Sequence, residues 1–381
     1  MHKHNAYLLV LAVAILVTIG IVMLFSTGAY APDSHGDEFS FLKKQGFWLV
    51  VGFVGAVVFA LVDYHWWQKT WYTWLAAAVV LLALCFIHPI GMRLNGSSRW
   101  VHAGPLTFQP SELAKLAAVV FIGWWFARPQ VDTRRLFMGF VFPLAVVAVV
   151  LLLIVTETDL GSTLLIGGTV FLMMFVAGTS LRYLGPLVLS GLLGLLGVAW
   201  HISERQSRLL AFLNPEKYQE TEGHQQLMGL IAFGSGGVDG LGLGNGRQKM
   251  LYLAYAHTDF IFPVIGEELG LKITLLVVFC YILIVTAGVL ISVNAKDRFG
   301  QLVGFGLTTV IGLQAAINVG VTTSLLPNKG LPLPFISYGG SNLVFSLVSV
   351  GILINIYRQG KDEPPANSTR VSVRVRHLRR I

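Results

Sequence analysis

The sequence predicts an all-α integral membrane protein: a bundle of about ten transmembrane helices with a large external loop between spans seven and eight. Three observations predict it. The first is composition. Of 381 residues, 55% are hydrophobic and 12% charged, against roughly 25% charged in a soluble domain, too few charges to cover a soluble surface of this size. The second is block length, since a helix needs about 20 apolar residues to cross a hydrocarbon core. Ten such blocks run near Tyr7–Gly28, Gly46–Val62, Trp71–His88, Leu113–Ala127, Leu136–Val155, Ser162–Ala177, Tyr183–Trp200, Phe260–Val293, Leu302–Leu325 and Leu343–Tyr357. The eighth exceeds one perpendicular span, so it tilts, kinks or starts outside the bilayer. Barrel strands would alternate apolar and polar residues, and these blocks do not.

The third observation is the placement of Lys and Arg. With the N-terminus cytoplasmic, Lys3, Lys69, Arg128, Arg134, Arg135, Arg182, Lys296, Arg298, Arg358, Lys361 and the tail arginines all fall inside. That side then holds 15 of the 27 Lys and Arg but 5 of the 19 Asp and Glu, the pattern that sets membrane orientation. The expected organisation is a membrane domain over 1–358, with its external loop at about 204–257, and a basic cytoplasmic tail over 359–381. The tail's Arg370, Arg374, Arg376, Arg379 and Arg380 can meet anionic headgroups or simply anchor topology. Ala29-Tyr30-Ala31 resembles a signal-peptidase site, yet cleavage would invert the charge-supported parity, so the first span is read as retained. Cys85 and Cys280 lie inside apolar spans as small hydrophobes, and Trp66, Trp67, Trp71 and Trp74 bracket a cytoplasmic turn as an interfacial belt.

On this topology the informative polar residues share one side. Arg99, Glu112, Asp159, Asp259, Glu267 and Glu268 all fall at external span ends or in external loops. Ionisable groups at membrane depth are costly and persist where they face a cavity or a partner, so they mark either an external site or ion pairs pinning helix ends. The Gly-rich run 234–246, followed by Arg247 and Lys249, is either a flexible loop or a phosphate cradle. It is not a dinucleotide fingerprint, and no Walker A sequence exists to power transport, so no nucleotide cofactor is expected. Pro327, Gly330, Pro332, Pro334, Gly339 and Gly340 break an apolar stretch. Non-helical backbone at that depth must lie against protein or a water-filled cavity, so 331–342 reads as a re-entrant element at the external mouth.

Several motifs then resemble the SEDS family, the RodA, FtsW and SpoVE group. They are Asn95-Gly-Ser-Ser-Arg-Trp100, Gln109-Pro-Ser-Glu-Leu-Ala-Lys115, Thr158-Asp-Leu-Gly161, Phe212-Leu-Asn-Pro215, His257-Thr-Asp-Phe-Ile-Phe262 with Gly266-Glu-Glu-Leu-Gly270, and Pro334-Phe-Ile-Ser-Tyr-Gly-Gly-Ser341. They follow the family's order over roughly 7–358, and Pro327-Asn-Lys-Gly330 is closer to FtsW and SpoVE than to RodA. The chain departs from the family at Thr158, where the family has Pro. It departs again at 251–255, which lacks the family's Glu and Pro, and at Gly223-His-Gln225 with Met228-Gly229.

The resemblance implies a peptidoglycan glycosyltransferase of the bacterial cytoplasmic (inner) membrane, with both termini cytoplasmic and the active site facing outside. Its substrate would be lipid II, polymerised with release of undecaprenyl pyrophosphate. Asp259 is the expected general base for a sugar hydroxyl. The expected substrate-binding residues are Arg99, Glu112, Lys115, Asp159, Arg205, Arg208, Gln225, Lys249, His257, Glu268, Ser337 and Ser341, with Arg99 and Lys115 first among the cations for the pyrophosphate. A divalent cation, Mg or Mn, is the other means of neutralising that leaving group. The implied partners are undecaprenyl-linked glycan, membrane lipids and a class B penicillin-binding protein transpeptidase; nucleic acid is not among them. Ala287, Gly288, Gly304, Gly306 and Gly312 either dock that partner's transmembrane helix or pack the bundle's own helices. The rival reading is a lipid II flippase or another transporter, which would place its sites near the midplane.

Overall fold

The computed structural model describes residues 2–28, 39–87, 90–94, 97–103, 106–201, 207, 210–213, 216–218, 223–250, 253 and 256–361. Ala29–Ala31, Arg205, Arg208, Asn214-Pro215 and the tail beyond Lys361 lie outside the described residues. Each of the ten apolar blocks forms a helix: α1 (His2–Gly28), α2 (Ser40–Leu61), α4 (Trp71–Leu84), α5 (Pro110–Ala127), α6 (Phe142–Thr156), α7 (Leu160–Ala177), α8 (Leu181–His201), α10 (Ile261–Val293), α11 (Arg298–Thr322) and α12 (Gly340–Lys361). Two shorter helices among the described residues are α3 (His65–Lys69) and α9 (His224–Gly236). Seven of the described helices are long and apolar enough to cross a membrane: α1, α2, α10, α11, α12, α7, and α6 with the π turn Phe137–Val141 that precedes it.

The centre of the bundle is α5. Nearly all of its side chains are buried, and it packs against α4, α7 and α11. Pro110 at its first position needs no helical N–H, and Glu112 sits in the first turn, where the helix dipole favours an acid. The first span is a structural member of the bundle: Leu9, Leu16 and Met23 on α1 are fully buried. Close backbone approach also joins α2 to α12, where a Cβ on Gly351 would lie 2.3 Å from the Ala56 carbonyl. Membrane helices associate through this kind of small-residue packing.

The small residues of α10 and α11 serve the bundle itself. A Cβ on Gly288 would lie 2.2 Å from Thr308 Oγ1, one on Gly304 2.7 Å from Ser292 Oγ, and one on Gly306 2.6 Å from Met173 Sδ. Ala287 is likewise buried. These positions are filled by neighbouring helices, which favours the second of the two readings, packing of the bundle's own helices.

The long eighth block is kinked. Gly270 takes φ 76°, ψ −178° inside α10, a backbone region that suits only glycine. The break releases two carbonyls from the helical ladder, and the Gly-rich run supplies their donors. Leu241 N donates to Glu267 O at 2.9 Å and Gly242 N to Glu268 O at 3.0 Å, while Leu271 N turns to Gly237 O at 3.0 Å. The run is therefore a packed segment rather than a free loop. It begins in α9, a helix not anticipated inside the external loop.

A second unanticipated element is a three-stranded antiparallel sheet between α4 and α5: β1 (Gly91–Leu94), β2 (Ser97–Ala103) and β3 (Leu106–Phe108). Met92 pairs with Trp100, and a bulge follows between Met92 and Arg93. Strands this short leave little periodic signal in a chain dominated by apolar helices. The sheet lies at the N-terminal end of α5 and carries Arg99.

Candidate active site

The segment 327–340 is the keystone of this end of the bundle. It descends without helix between α11 and α12, so its carbonyls need side-chain donors, and buried amides provide them. Gln314 Nε2 donates to Pro332 O at 2.7 Å, and Asn318 Nδ2 donates to Leu331 O at 2.7 Å. Tyr281 Oη donates to Pro334 O. Gln314 and Asn318 stand one turn apart on α11, on a single face. The same Asn318 Nδ2 lies 2.8 Å from Asp259 O, so one amide joins the descending segment to the turn before α10.

That turn, 257–260, is held on its other side as well. Ser337 Oγ donates to Thr258 O at 2.6 Å and accepts from Leu333 N at 2.7 Å. Tyr338 N donates to His257 O at 2.9 Å. The His257 ring packs 4.8 Å from Phe41 and 6.0 Å from Tyr338. Pro263, within the first turn of α10, forfeits no helical bond.

Asp259 thus has a fixed backbone and a side chain turned into a recess. The residue is half-buried. Gly330 closes one wall: a Cβ there would sit 2.5 Å from Asp259 Oδ2. Burial pushes the Asp259 carboxyl up to about 6; the negative charge of Asp159 adds to this, and Arg99 opposes it. Among the described residues nothing donates a hydrogen bond to that carboxylate.

Asp159 is buried and N-caps α7, accepting from Ser162 N at 3.0 Å and from Ser162 Oγ at 2.7 Å. Before it, Thr158 takes φ 64°, a left-handed conformation closed to proline. This is the position where the sequence departs from the family's Pro, and the substitution and the backbone agree. Arg99 Nη2 donates to Thr158 O at 2.8 Å, and its Nε is buried without a partner. Glu157 lies beneath, 1% exposed. Burial raises it to about 8; a Cys85 hydrogen bond opposes the rise, Asp159 reinforces it, and Arg99 opposes it.

A polar cluster inside the bundle connects to the same segment. Lys115 Nζ lies 2.8 Å from Glu112 Oε2 and 2.8 Å from Gln314 Oε1. Asn342 Nδ2 donates to Glu112 Oε1 at 3.2 Å. A small cavity opens here, lined among others by Glu112, Lys115, Gln314, Ser346 and Ser349. A cation and an anion spaced i, i+3 on a buried helix compensate each other, which makes their burial tolerable.

Residues 6–362 match the FTSW_RODA_SPOVE family model, a cell cycle protein family. The chain belongs to that family. Among curated relatives of this FtsW/RodA/SpoVE member, the probable peptidoglycan glycosyltransferase FtsW of Geobacter metallireducens is 39% identical over 95% of this chain and 96% of its own. Stage V sporulation protein E of Bacillus subtilis is 37% identical over 93% and 97%. A chain from a peptidoglycan synthase complex that coordinates polymerization and crosslinking superposes with TM-score 0.78 at 26% identity, covering 93% of this chain and 98% of that one. Thermus thermophilus RodA superposes with TM-score 0.67 at 27% identity, covering 93% and 97%.

Of the site residues expected from sequence, the fold gathers Asp259, Asp159 and Arg99 around one recess. His257 and Ser337 hold its turn. Ser341 Oγ accepts from Gln109 N at 3.1 Å, and Gln109 Nε2 reaches Asp159 at 3.5 Å. Gln225 accepts from Asn328 at 2.7 Å and so touches the start of the descending segment. Lys249 and Glu268 are turned toward each other, 2.7 Å apart and almost wholly buried. Sequence reasoning passed over Gln314, Asn318, Asn342 and Glu157. The signal was present, since amides one turn apart inside an apolar span are costly without partners.

Proposed function

We propose that this protein is a peptidoglycan glycosyltransferase that polymerises lipid II into β-1,4 glycan strands and releases undecaprenyl pyrophosphate. The observation that carries this reading is the Asp259 recess: a positioned carboxyl, without a hydrogen-bond partner among the described residues, with a pKa raised to about 6 and a cation in electrostatic reach. A general base works best with its pKa near the operating pH, and supplying one is typically worth about 10²–10⁴-fold. Asp259 takes the proton of the attacking sugar 4-hydroxyl as that oxygen bonds to the anomeric carbon. The bond from that carbon to the lipid pyrophosphate breaks, and its electron pair leaves with the phosphate. Inversion from an α-linked donor to a β product follows from direct displacement without an enzyme nucleophile.

The departing pyrophosphate needs positive charge. Lys115 is engaged by Glu112 and Gln314, and Lys249 by Glu268, so Arg99 is placed first among the described cations. Glu112, Asp159, Gln225, His257, Ser337 and Ser341 shape and hold the surrounding surface. Among the described residues no three His, Cys, Asp or Glu form a metal-binding group. A Mg²⁺ or Mn²⁺ shared with substrate phosphates nevertheless fits beside Asp159, because Mg²⁺ is commonly bound by one or two carboxylates plus phosphate oxygens. Asp159 would be its protein ligand, leaving Asp259 free as the base, and it would supply charge neutralisation.

A class B penicillin-binding protein is the proposed partner, supported by the likeness to a chain of a synthase complex. The inner membrane, cytoplasmic termini and an outward recess complete the reading. Cysteine placed at exposed Val238 labels from outside with an impermeant thiol reagent, and cysteine at exposed Asp132 only after permeabilisation; the native Cys85 and Cys280 are buried. The deciding experiment is polymerisation of lipid II by the purified protein with its transpeptidase, with and without chelator. A well-folded complex that forms no glycan overturns the proposal.

A further inference from the structure

We infer that the end of the bundle opposite Asp259 carries a binding site for an anionic phospholipid, whose headgroup phosphate is taken by Arg128. Arg128 follows the last residue of α5, the helix whose N-cap residue Gln109 reaches Asp159 at the other end. Its guanidinium carbon lies 4.2 Å from the Trp124 ring centre and 3.9 Å from that of Trp125, so two indoles fix the cation in place. Those indoles are themselves held. Trp124 stacks on Trp71 at 3.9 Å, Trp125 stacks on Phe142 at 4.1 Å, and Trp125 Nε1 donates to Met138 O at 2.8 Å.

The held cation is short of acceptors. Arg128 Nε is buried with no hydrogen-bond partner, and among the described residues no carboxylate pairs with the guanidinium. The nearby acid in sequence, Asp132, is occupied by Arg135 Nε at 3.3 Å and Arg134 N at 3.0 Å. The stretch 128–135 thus holds three arginines, Arg128, Arg134 and Arg135, and one acid, Asp132, which favours an anion over a zwitterion. A planar, pre-oriented guanidinium suits phosphate oxygens.

The surroundings point to a lipid rather than a soluble anion. Directly after the basic pair, Leu136, Phe137 and Met138 expose 50%, 65% and 38% of their surface, an apolar strip where acyl chains can lie. Tyr72 is exposed on the neighbouring helix, and Trp and Tyr concentrate where a bilayer meets water. The placement of Lys and Arg reads this end as cytoplasmic, the leaflet face that attracts basic residues.

The test is native mass spectrometry of the purified full-length protein titrated with phosphatidylglycerol or with phosphatidylcholine of the same chains. Wild type retains phosphatidylglycerol preferentially, and Arg128→Gln lowers that retention roughly fivefold or more, with Arg128→Lys in between. Millimolar inorganic phosphate leaves lipid retention unchanged. If Arg128→Gln folds poorly, the double variant Arg134→Gln/Arg135→Gln, changed only at exposed positions, still reports through a smaller loss. Equal retention of the two lipids by wild type, unchanged retention in the variants, or displacement by phosphate overturns the inference.

Discussion

Two carboxylates at the same end of this molecule, Glu268 and Asp259, meet opposite fates. Glu268 is wholly buried and lies 2.7 Å from Lys249 Nζ. It also accepts from Ser26 Oγ at 2.7 and 2.8 Å and from Gly244 N at 2.9 Å. Lys249 spends its remaining donors on Ser26 Oγ at 2.7 Å and Gly244 O at 2.9 Å. Every need of this pair is met, and it rivets the Gly-rich segment to α1 and α10. Asp259 has a rigid backbone and a carboxylate that no described residue donates to, pushed up to about 6 by burial. A saturated buried pair holds structure, whereas a positioned group left wanting a proton or a cation is available for chemistry.

The largest expected effects set the two against each other. Asp259→Asn is nearly isosteric and removes no side-chain hydrogen bond, so folding persists while polymerisation falls by about 10²–10⁴-fold. Glu268→Gln strands a buried ammonium and costs about 3–5 kcal/mol of stability, since breaking one side of a buried pair leaves an uncompensated charge. Thermal unfolding and single-turnover glycan synthesis on both variants check this. Near-normal stability of Glu268→Gln, or full activity of Asp259→Asn, would reverse the two roles.

Gly330 provides a smaller perturbation of the recess alone. Its replacement by Ala places a Cβ 2.5 Å from Asp259 Oδ2, displacing a group whose position matters; misplacement by about 1 Å can cost roughly 10²-fold. Gly234, in the last turn of α9, has nothing within 4 Å of its would-be Cβ. Gly234→Ala is therefore expected to leave activity unchanged and to add about 0.5–1 kcal/mol of helix stability. Equal losses at both positions would show a general intolerance of bulk rather than a recess fitted to Asp259.

The pH profile sharpens the comparison further. Asp259 must be ionised to accept a proton, so activity is lost as pH falls through about 6. Asp159 raises that pKa and Arg99 lowers it. Asp159→Asn accordingly moves the acid limb to lower pH, and Arg99→Gln moves it to higher pH, apart from any change in the plateau. Glu268→Gln leaves the limb where it is. An acid limb indifferent to both Asp159 and Arg99 would assign it to another group.

The bundle was legible in the sequence because its signal is additive: twenty apolar residues announce a span whatever they touch. The site was legible in part for a different reason. Asp259, Asp159 and Arg99 are charges at span ends, visible without knowing their partners. The Gly-rich run stayed open between a flexible loop and a phosphate cradle because its hydrogen bonds go to Glu267 and Glu268 carbonyls released by a kink at Gly270, which no local window reveals. Gly304 and Gly306 were ambiguous for a similar reason, since a small residue looks the same facing Ser292 or Met173 as facing a partner. The amides of Gln314 and Asn318 were overlooked because their acceptors, on the segment 331–334, lie beyond the end of their own helix.

The smallest expected effect concerns the turn that supports Asp159. Thr158 holds φ 64°, and a β-branched residue in the left-handed region is strained by roughly 1–2 kcal/mol. Its carbonyl accepts from Arg99, and its amide donates to Val155 O at 2.9 Å, so the strained turn fixes where Asp159 caps α7 and where Arg99 points. Thr158→Gly removes the strain but loosens the unfolded chain, and the two nearly offset, for a net gain of at most about 1 kcal/mol. Thr158→Pro cannot reach φ 64° and is expected to displace both Arg99 and the α7 cap, lowering stability and raising the pH of the acid limb as Arg99 withdraws. Neither change touches Glu268, Lys249 or the Gly-rich segment. Thermal unfolding with an acid-limb measurement on the two variants therefore separates a turn built for the recess from one that merely joins two helices: the latter predicts a stability loss for Thr158→Pro with the acid limb unmoved.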